Sequence, residues 1–226
     1  DAQSTVCSPW DAIRQADFFL ANIDDVNVDI MESTVAEERK GEALFLKAWS
    51  YFVLLRQYGP IPIIENAAQP SSTPEELQIP RAPFDDCADF IVALCDEASQ
   101  HLKEADVEPG RPTFAAAYAL KARVLLYAAS PLFNGNTTYG AVKNNDGTPL
   151  FNTTYDAEKW KKAADAADEA ITAATNSGVT LYTGGNPDEV AYGEYPDPDF
   201  ERAKDNYRSA SMLPVALNTE LIWAHV

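Results

Sequence analysis

The two histidines, His101 and His225, stand far apart in the chain, so neither HExxH nor any other close metal-binding spacing is present. His101 falls at the end of a predicted helix, where a cation complements the helix dipole, and His225 is almost terminal. No GxSxG elbow, P-loop or dinucleotide-binding glycine pattern occurs. Asp24-Asp25 and Asp85-Asp86 are adjacent acids, but among 35 Asp and Glu such pairs arise by chance. Glycosidic hydrolysis needs two carboxylates facing each other about 5 to 9 Å apart across a cleft, and nothing singles out a pair. The expectation is no catalytic residue, no metal ligand and no cofactor.

A second chemistry is better supplied. Flat aromatic faces can stack on the C–H surfaces of sugars, with amides and carboxylates fixing orientation, and the polar tips of tyrosine and tryptophan need partners. Ten Tyr, ten Phe and four Trp make the chain 11% aromatic. The candidate ligand-binding residues are Trp10 at a helix start, Asn134, Tyr139 and Tyr155 in one long loop, and Tyr192 and Tyr195 in another. Trp10 also falls in an apolar stripe, so core packing competes with ligand contact there. Trp49 and Trp160 are read as core. Asn144-Asn145-Asp146-Gly147 and Asp197-Pro198-Asp199 are oxygen-rich, but they lack the spaced acids of a calcium loop and read as Asx turns. Asn136-Thr137-Thr138 and Asn152-Thr153-Thr154 are formal glycosylation sequons and read as coincidental.

Charge narrows the partners. With 17 basic against 35 acidic residues the net charge is -18, which repels a phosphate backbone or an anionic membrane at long range. Nucleic acid is excluded as a partner, and neutral ligands remain compatible. Cys87 and Cys95 lie eight residues apart on one predicted helix, about 12 Å along its axis, too far to form a disulfide. They read as small buried apolar groups, and Cys7 as a free thiol. No run reaches the length of a membrane span.

The elements that must position these residues are helices. Apolar residues recur at helical spacing in five segments, about Pro9–Ile23, Thr34–Tyr58, Phe84–Leu102, Thr113–Ser130 and Ala157–Asn176. The second has a charged opening half and an apolar second half, as for a helix passing from solvent into a core. Phe84, Ala88, Ile91, Cys95, Ala98 and Leu102 form a stripe on the third, and Ala117, Leu120, Val124 and Tyr127 on the fourth. The predicted stripe of the fifth is Trp160, Ala163, Ala164, Ala167, Ala170, Ile171 and Ala174. A Pro-rich connector occupies 60–83, and long irregular loops occupy 131–155 and 182–214. Large residues alternating with alanine suggest tetratricopeptide-like pairing, with a loose match to the 34-residue repeat.

Several segments resemble the SusD/RagB family. Glu42 to Ile64, EALFLKAWSYFVLLRQYGPIPII, is similar to that family's helix EAxflRAxxYfxLxxxyGxvPli. Ala115 to Asn134, AAAYALKARVLLYAASPLFN, resembles AxxaLxarvxLyaaSplfn. Trp160-Lys161-Lys162-Ala163-Ala164 and Asn218-Thr219-Glu220-Leu221-Ile222-Trp223 resemble WxxAaxaaxxai and nxEiIf. Arg14 to Ile23, RQADFFLANI, resembles xxaNxfLexi, with Asp17 in place of Asn. The order and spacing of these motifs carry the likeness, which spans essentially the whole chain.

The resemblance implies an all-α, tetratricopeptide-like helical-hairpin scaffold with long irregular loops, residues 1–226 forming one partial domain of a longer protein. It also implies an outer-membrane lipoprotein, lipid-anchored on the extracellular face. Its expected partners are a glycan, or else a peptide, and a TonB-dependent transporter barrel. The family's function would then be non-catalytic nutrient capture. Two other readings stay open: an intracellular tetratricopeptide-type adaptor gripping a partner peptide, and a glycoside hydrolase.

Overall fold

The computed structural model describes residues 8–27, 29–64, 71–104, 108, 110–182 and 218–223. Cys7, Tyr192, Tyr195, Asp197, Asp199, His225 and loop residues 183–214 lie outside the described residues. The helices are α1 (Pro9–Leu20), α2 (Ser33–Tyr58), α3 (Phe84–His101), α4 (Phe114–Ala129) and α5 (Glu158–Asn176), with short 3-10 turns at Ile23–Asp25 and Thr137–Tyr139. Among the described residues the only β-type pairing is one isolated bridge, Lys143 to Pro149. The all-α, tetratricopeptide-like expectation therefore holds.

Each boundary has a local cause. Pro9 occupies the first turn of α1, where a missing N–H costs nothing. Gly59-Pro60 stops α2, because proline cannot continue the hydrogen-bond ladder. Thr113 caps α4 by accepting from the Ala116 amide at 3.2 Å. Residue 23 was expected in α1, but the helix ends at Leu20, and Ile23 reaches the core from the following 3-10 turn instead, 4% exposed.

Successive helices pack antiparallel. Trp10 lies over Tyr51 and Lys40 reaches Asp24, so α1 runs against α2. His101 meets Glu37, and Phe52 meets Tyr127, which lies beside Phe84; α3 thus runs against α2, and α4 against α3. Lys121 of α4 bridges Asp96 of α3 and Glu169 of α5. The core is centred on α2, whose Phe45, Tyr51, Phe52, Leu54 and Leu55 are each 1% exposed.

The charged opening half of α2 does more than meet solvent. Glu37, Glu38 and Glu42 pair with His101, Lys103 and Arg111, clamping the α3–α4 junction onto α2. Gly41 makes that approach feasible: a Cβ there would stand 2.8 Å from His101 Cβ. The start of the connector is stapled too, since the Tyr51 hydroxyl accepts from the Ile64 amide at 2.9 Å and donates to its carbonyl at 3.2 Å. Cys87 and Cys95 are buried free thiols, and burial pushes Cys95 up to about 12.

Helix α5 corrects the sequence reading. Its buried residues are Ala163, Ala166, Ala170, Ala173 and Ala174, while Trp160 is 40% and Ile171 64% exposed, and Ala164 is exposed. On α4, Ala115 packs with Ala173 and Ala174, beside Phe114 and Tyr118, while Ala116 and Ala117 belong to the main core. Small side chains at this contact let the helices approach closely, so the narrow alanine stripe turns inward and the bulkier residues turn out. Trp49, also read as core, is only half-buried at the edge.

One charged pair sits inside the apolar interface. Asp17 of α1 and Lys47 of α2 are 6% and 5% exposed and form a salt bridge, with the Lys47 ammonium 5.7 Å from the centre of the Phe90 ring. Burial pushes the Asp17 carboxyl above its ordinary range, and Lys47 opposes the shift. Asp17→Asn would leave the ammonium buried without a counter-charge and is expected to cost about 3 kcal/mol in urea unfolding. Asp17→Leu combined with Lys47→Met should recover most of that loss, a double-mutant cycle that separates pairing from packing.

Candidate functional site

The first long loop was expected to interrupt the scaffold, yet much of it is built into the core. Phe133 is 7% and Leu150 0% exposed. Phe133 stacks on Phe84 with ring centres 3.9 Å apart, and Phe151 lies 6.0 Å from the same ring. The Leu150 carbonyl accepts the Phe84 amide at 2.9 Å, satisfying an otherwise orphaned N–H at the start of α3.

With no ladder to satisfy its amides, the loop uses Asx turns. Side-chain oxygens of Asn136, Asp146, Asn152 and Asp156 accept from the amides of Thr138, Thr148, Thr154 and Glu158, each two residues on. The two Asn-Thr-Thr sequons are such turns, which gives their pattern a structural cause. Asn144-Asn145-Asp146-Gly147 is a hairpin tip whose Asn144 amide group donates to the Arg81 carbonyl at 2.8 Å. Turn hydrogen bonding holds Asp146 below the usual carboxylate range.

The candidate binding residues fall in different settings. Trp10 packs edge-on against Tyr51 at 6.2 Å, half-buried against the core. Asn134 is 5% exposed; its amide donates to the Asp156 carbonyl and accepts from the Asp156 amide, both at 2.8 Å, pinning the two ends of the loop together. Tyr139 leans on Phe151 at 4.8 Å. Tyr155 is 62% exposed. Its backbone crosses Gly135, where a Cβ would come within 2.9 Å of Tyr155 Cβ and φ is +81°. The fold thus gathers Asn134, Tyr139 and Tyr155 on one loop, with only Tyr155 presented fully outward.

Sequence reasoning missed a groove. It lies between α1 and α2, has a volume of about 560 Å³, and is lined by Ala12, Gln15 and Phe19 from one helix and Leu46, Trp49 and Val53 from the other, among others. Each set recurs at i, i+3 and i+7, so each is a single helical face. That spacing was readable, but the apolar second half of α2 was read as core all round. Arg39 and Glu42 close one end. Glu42 accepts from both Arg39 and Arg111, and the Glu108 and Glu42 hydrogen bonds hold Arg111 above its ordinary range. Trp223 backs the groove wall, its ring 5.3 Å from Trp49 and its Nε1 donating to the Gly110 carbonyl at 3.0 Å.

Residues 4–126 match the SusD-like family profile described as starch-binding and associating with the outer membrane. The chain belongs to the SusD-like family. It is 31% identical to BT4246, superposes with a TM-score of 0.82 over 96% of this chain, and spans only 39% of BT4246. A SusD-like protein from Bacteroides fragilis NCTC 9343, BF3747, is 21% identical with a TM-score of 0.63, covering 95% of this chain and 31% of its own. A crystal structure described as solved with xylogluco-oligosaccharide is 21% identical with a TM-score of 0.53, covering 83% of this chain and 35% of its own. At that identity the last two share the fold. Among the curated proteins no sequence matches. No helix among the described residues of this SusD-like chain is long and apolar enough to cross a membrane.

Replacing Asn134 should loosen the loop ends. Asn134→Ala removes both bonds to Asp156 and is expected to cost about 2 kcal/mol, with faster hydrogen exchange at the Asp156 and Glu158 amides. Tyr155→Ala touches only exposed surface and should stay within about 0.5 kcal/mol of wild type.

Proposed function

We propose that this chain is part of a cell-surface protein that captures glycans without cleaving them, for uptake through a TonB-dependent transporter. The observation that carries the reading is the family match over more than half of the chain, to a family described as starch-binding and outer-membrane-associated. The outward Tyr155, set on a loop braced by the core, is a suitable stacking surface for a sugar ring. The oligosaccharide described with one fold neighbour points the same way. Tyr139, Tyr192 and Tyr195 complete the proposed loop contacts, while Trp10 and Asn134 act by placing the elements around them. In the proposed setting the whole protein is lipid-anchored on the outer face of the outer membrane.

The test is affinity electrophoresis and calorimetry of the full-length protein against a panel of polysaccharides, with product analysis on the same samples. Retention by a neutral glycan without new reducing ends is the expected result. Release of shorter sugars would overturn the non-catalytic reading, and failure of every glycan to bind would overturn glycan capture. Tyr155→Ala should weaken the interaction about three- to tenfold, the scale of one stacked ring.

A further inference from the structure

The geometry points to the groove between α1 and α2 as a subsite for a neutral sugar ring, separate from the loop carrying Tyr155. This rests on the glycan-capture reading and adds a location and contacts to it. The volume of about 560 Å³ lies within the range of small-ligand sites, roughly 300 to 1,000 Å³. Its walls are apolar and partly aromatic, with Phe19 on one side and Leu46 and Trp49 on the other. Leu46 is 43% exposed, an unusual state for a leucine midway along the most buried helix of the fold.

The polar groups of the lining decide what kind of occupant fits. Gln15 supplies an amide able to donate and accept, and has no hydrogen-bond partner among the described residues. Arg39 gives one N–H to Glu42 and has further N–H donors in its planar fork. An apolar helix laid into this groove would desolvate these groups and leave them unpaired, a cost of roughly 1 to 3 kcal/mol for each. Sugar hydroxyls would satisfy them while the C–H face of the ring lies on Trp49. A polyuronate would also suit Arg39, but it would approach a chain of net charge -18 against long-range repulsion. The neutral ring is therefore favoured.

Trp49 is held in place from behind. Trp223 packs on both Trp49 and Phe45, and is fixed by its bond to the Gly110 carbonyl. An aromatic braced in this way loses little further freedom on binding, which is the condition for a preorganised stacking surface.

The test uses the full-length protein and the neutral polysaccharide that it retains, with maltoheptaose, xyloglucan oligosaccharide and polygalacturonate as defined probes. Leu46→Arg, which fills the groove from an exposed position, should weaken binding of the neutral probe at least tenfold with an unchanged melting curve. Gln15→Ala, wholly on the surface, should weaken it about threefold. In a Leu46→Cys variant the introduced thiol should label quickly beyond the wild-type background and be protected by the bound glycan. Slow labelling without glycan would mean that protein fills the groove, and would overturn the subsite. Glycan binding insensitive to Leu46→Arg and Gln15→Ala but weakened by Tyr155→Ala would overturn the subsite and leave glycan capture standing. Binding only to polygalacturonate would overturn the neutral-ring assignment. Absence of binding to any glycan would remove both readings.

Discussion

The rest of this structure depends on covering α2. Its second half is apolar nearly all round, and a helix of that kind is stable only when surrounded. One flank is met by α1, another by α3, while Tyr51 holds the connector by both polar atoms of Ile64. Trp223, far off in sequence, adds cover by closing on Phe45 and Trp49. The incomplete part of that enclosure is the side where Leu46 and Trp49 emerge beside α1. The groove is thus a consequence of the same constraint that builds the core.

Asp17 and Lys47 show how an interface of this kind tolerates charge. The family helix patterns have Asn where Asp17 stands and Arg where Lys47 stands, and in this chain the two departures meet as one ion pair. An isolated ammonium on this buried face would be strongly disfavoured. The carboxylate neutralises it, and the Phe90 ring takes part of what remains. Lys47 keeps the positive charge of the family pattern's Arg, and Asp17 supplies the counter-charge that an Asn would lack. Such a pair adds little to stability over an apolar equivalent, but it fixes the register of α1 on α2. That register sets the width of the groove, because Asp17 lies between Ala16 and Phe19, two of its lining residues.

Helical periodicity made the scaffold legible because each helix has a stripe that the packing had to bury. It failed at α5, where two apolar stripes compete. Ala163, Ala170 and Ala174 of the expected stripe are buried, but Trp160 and Ile171, with more apolar area, drew the stripe too far toward the solvent side. Close approach to α4 around Ala115 decided otherwise, and that is a property of the pair of helices, invisible in either one. The aromatic loop misled for a related reason. The loop was read as polar and irregular, yet its Phe133 and Phe151 fill the space beside Phe84. Asn134 looked like a sugar contact because amides bind hydroxyls; here both ends of its amide are taken by the backbone of Asp156. What spacing alone cannot give is which aromatic remains after the core has been filled.

In this loop the residue that remains is Tyr155, and the manner in which it is held bears on function. A ring on a loose loop would lose conformational freedom on binding and offset part of the gain from stacking. Here the chain on either side is already committed. Gly135 lets the backbone cross beneath Tyr155, Asn152 closes a turn just before it, and Asn134 holds Asp156 just after it. Residues elsewhere in the loop thereby limit the freedom of the exposed ring. The same logic operates at Trp49 through Trp223. In both places the fold spends its internal hydrogen bonds on fixing an aromatic at the surface, which is the property a binding scaffold needs and a solvated loop lacks.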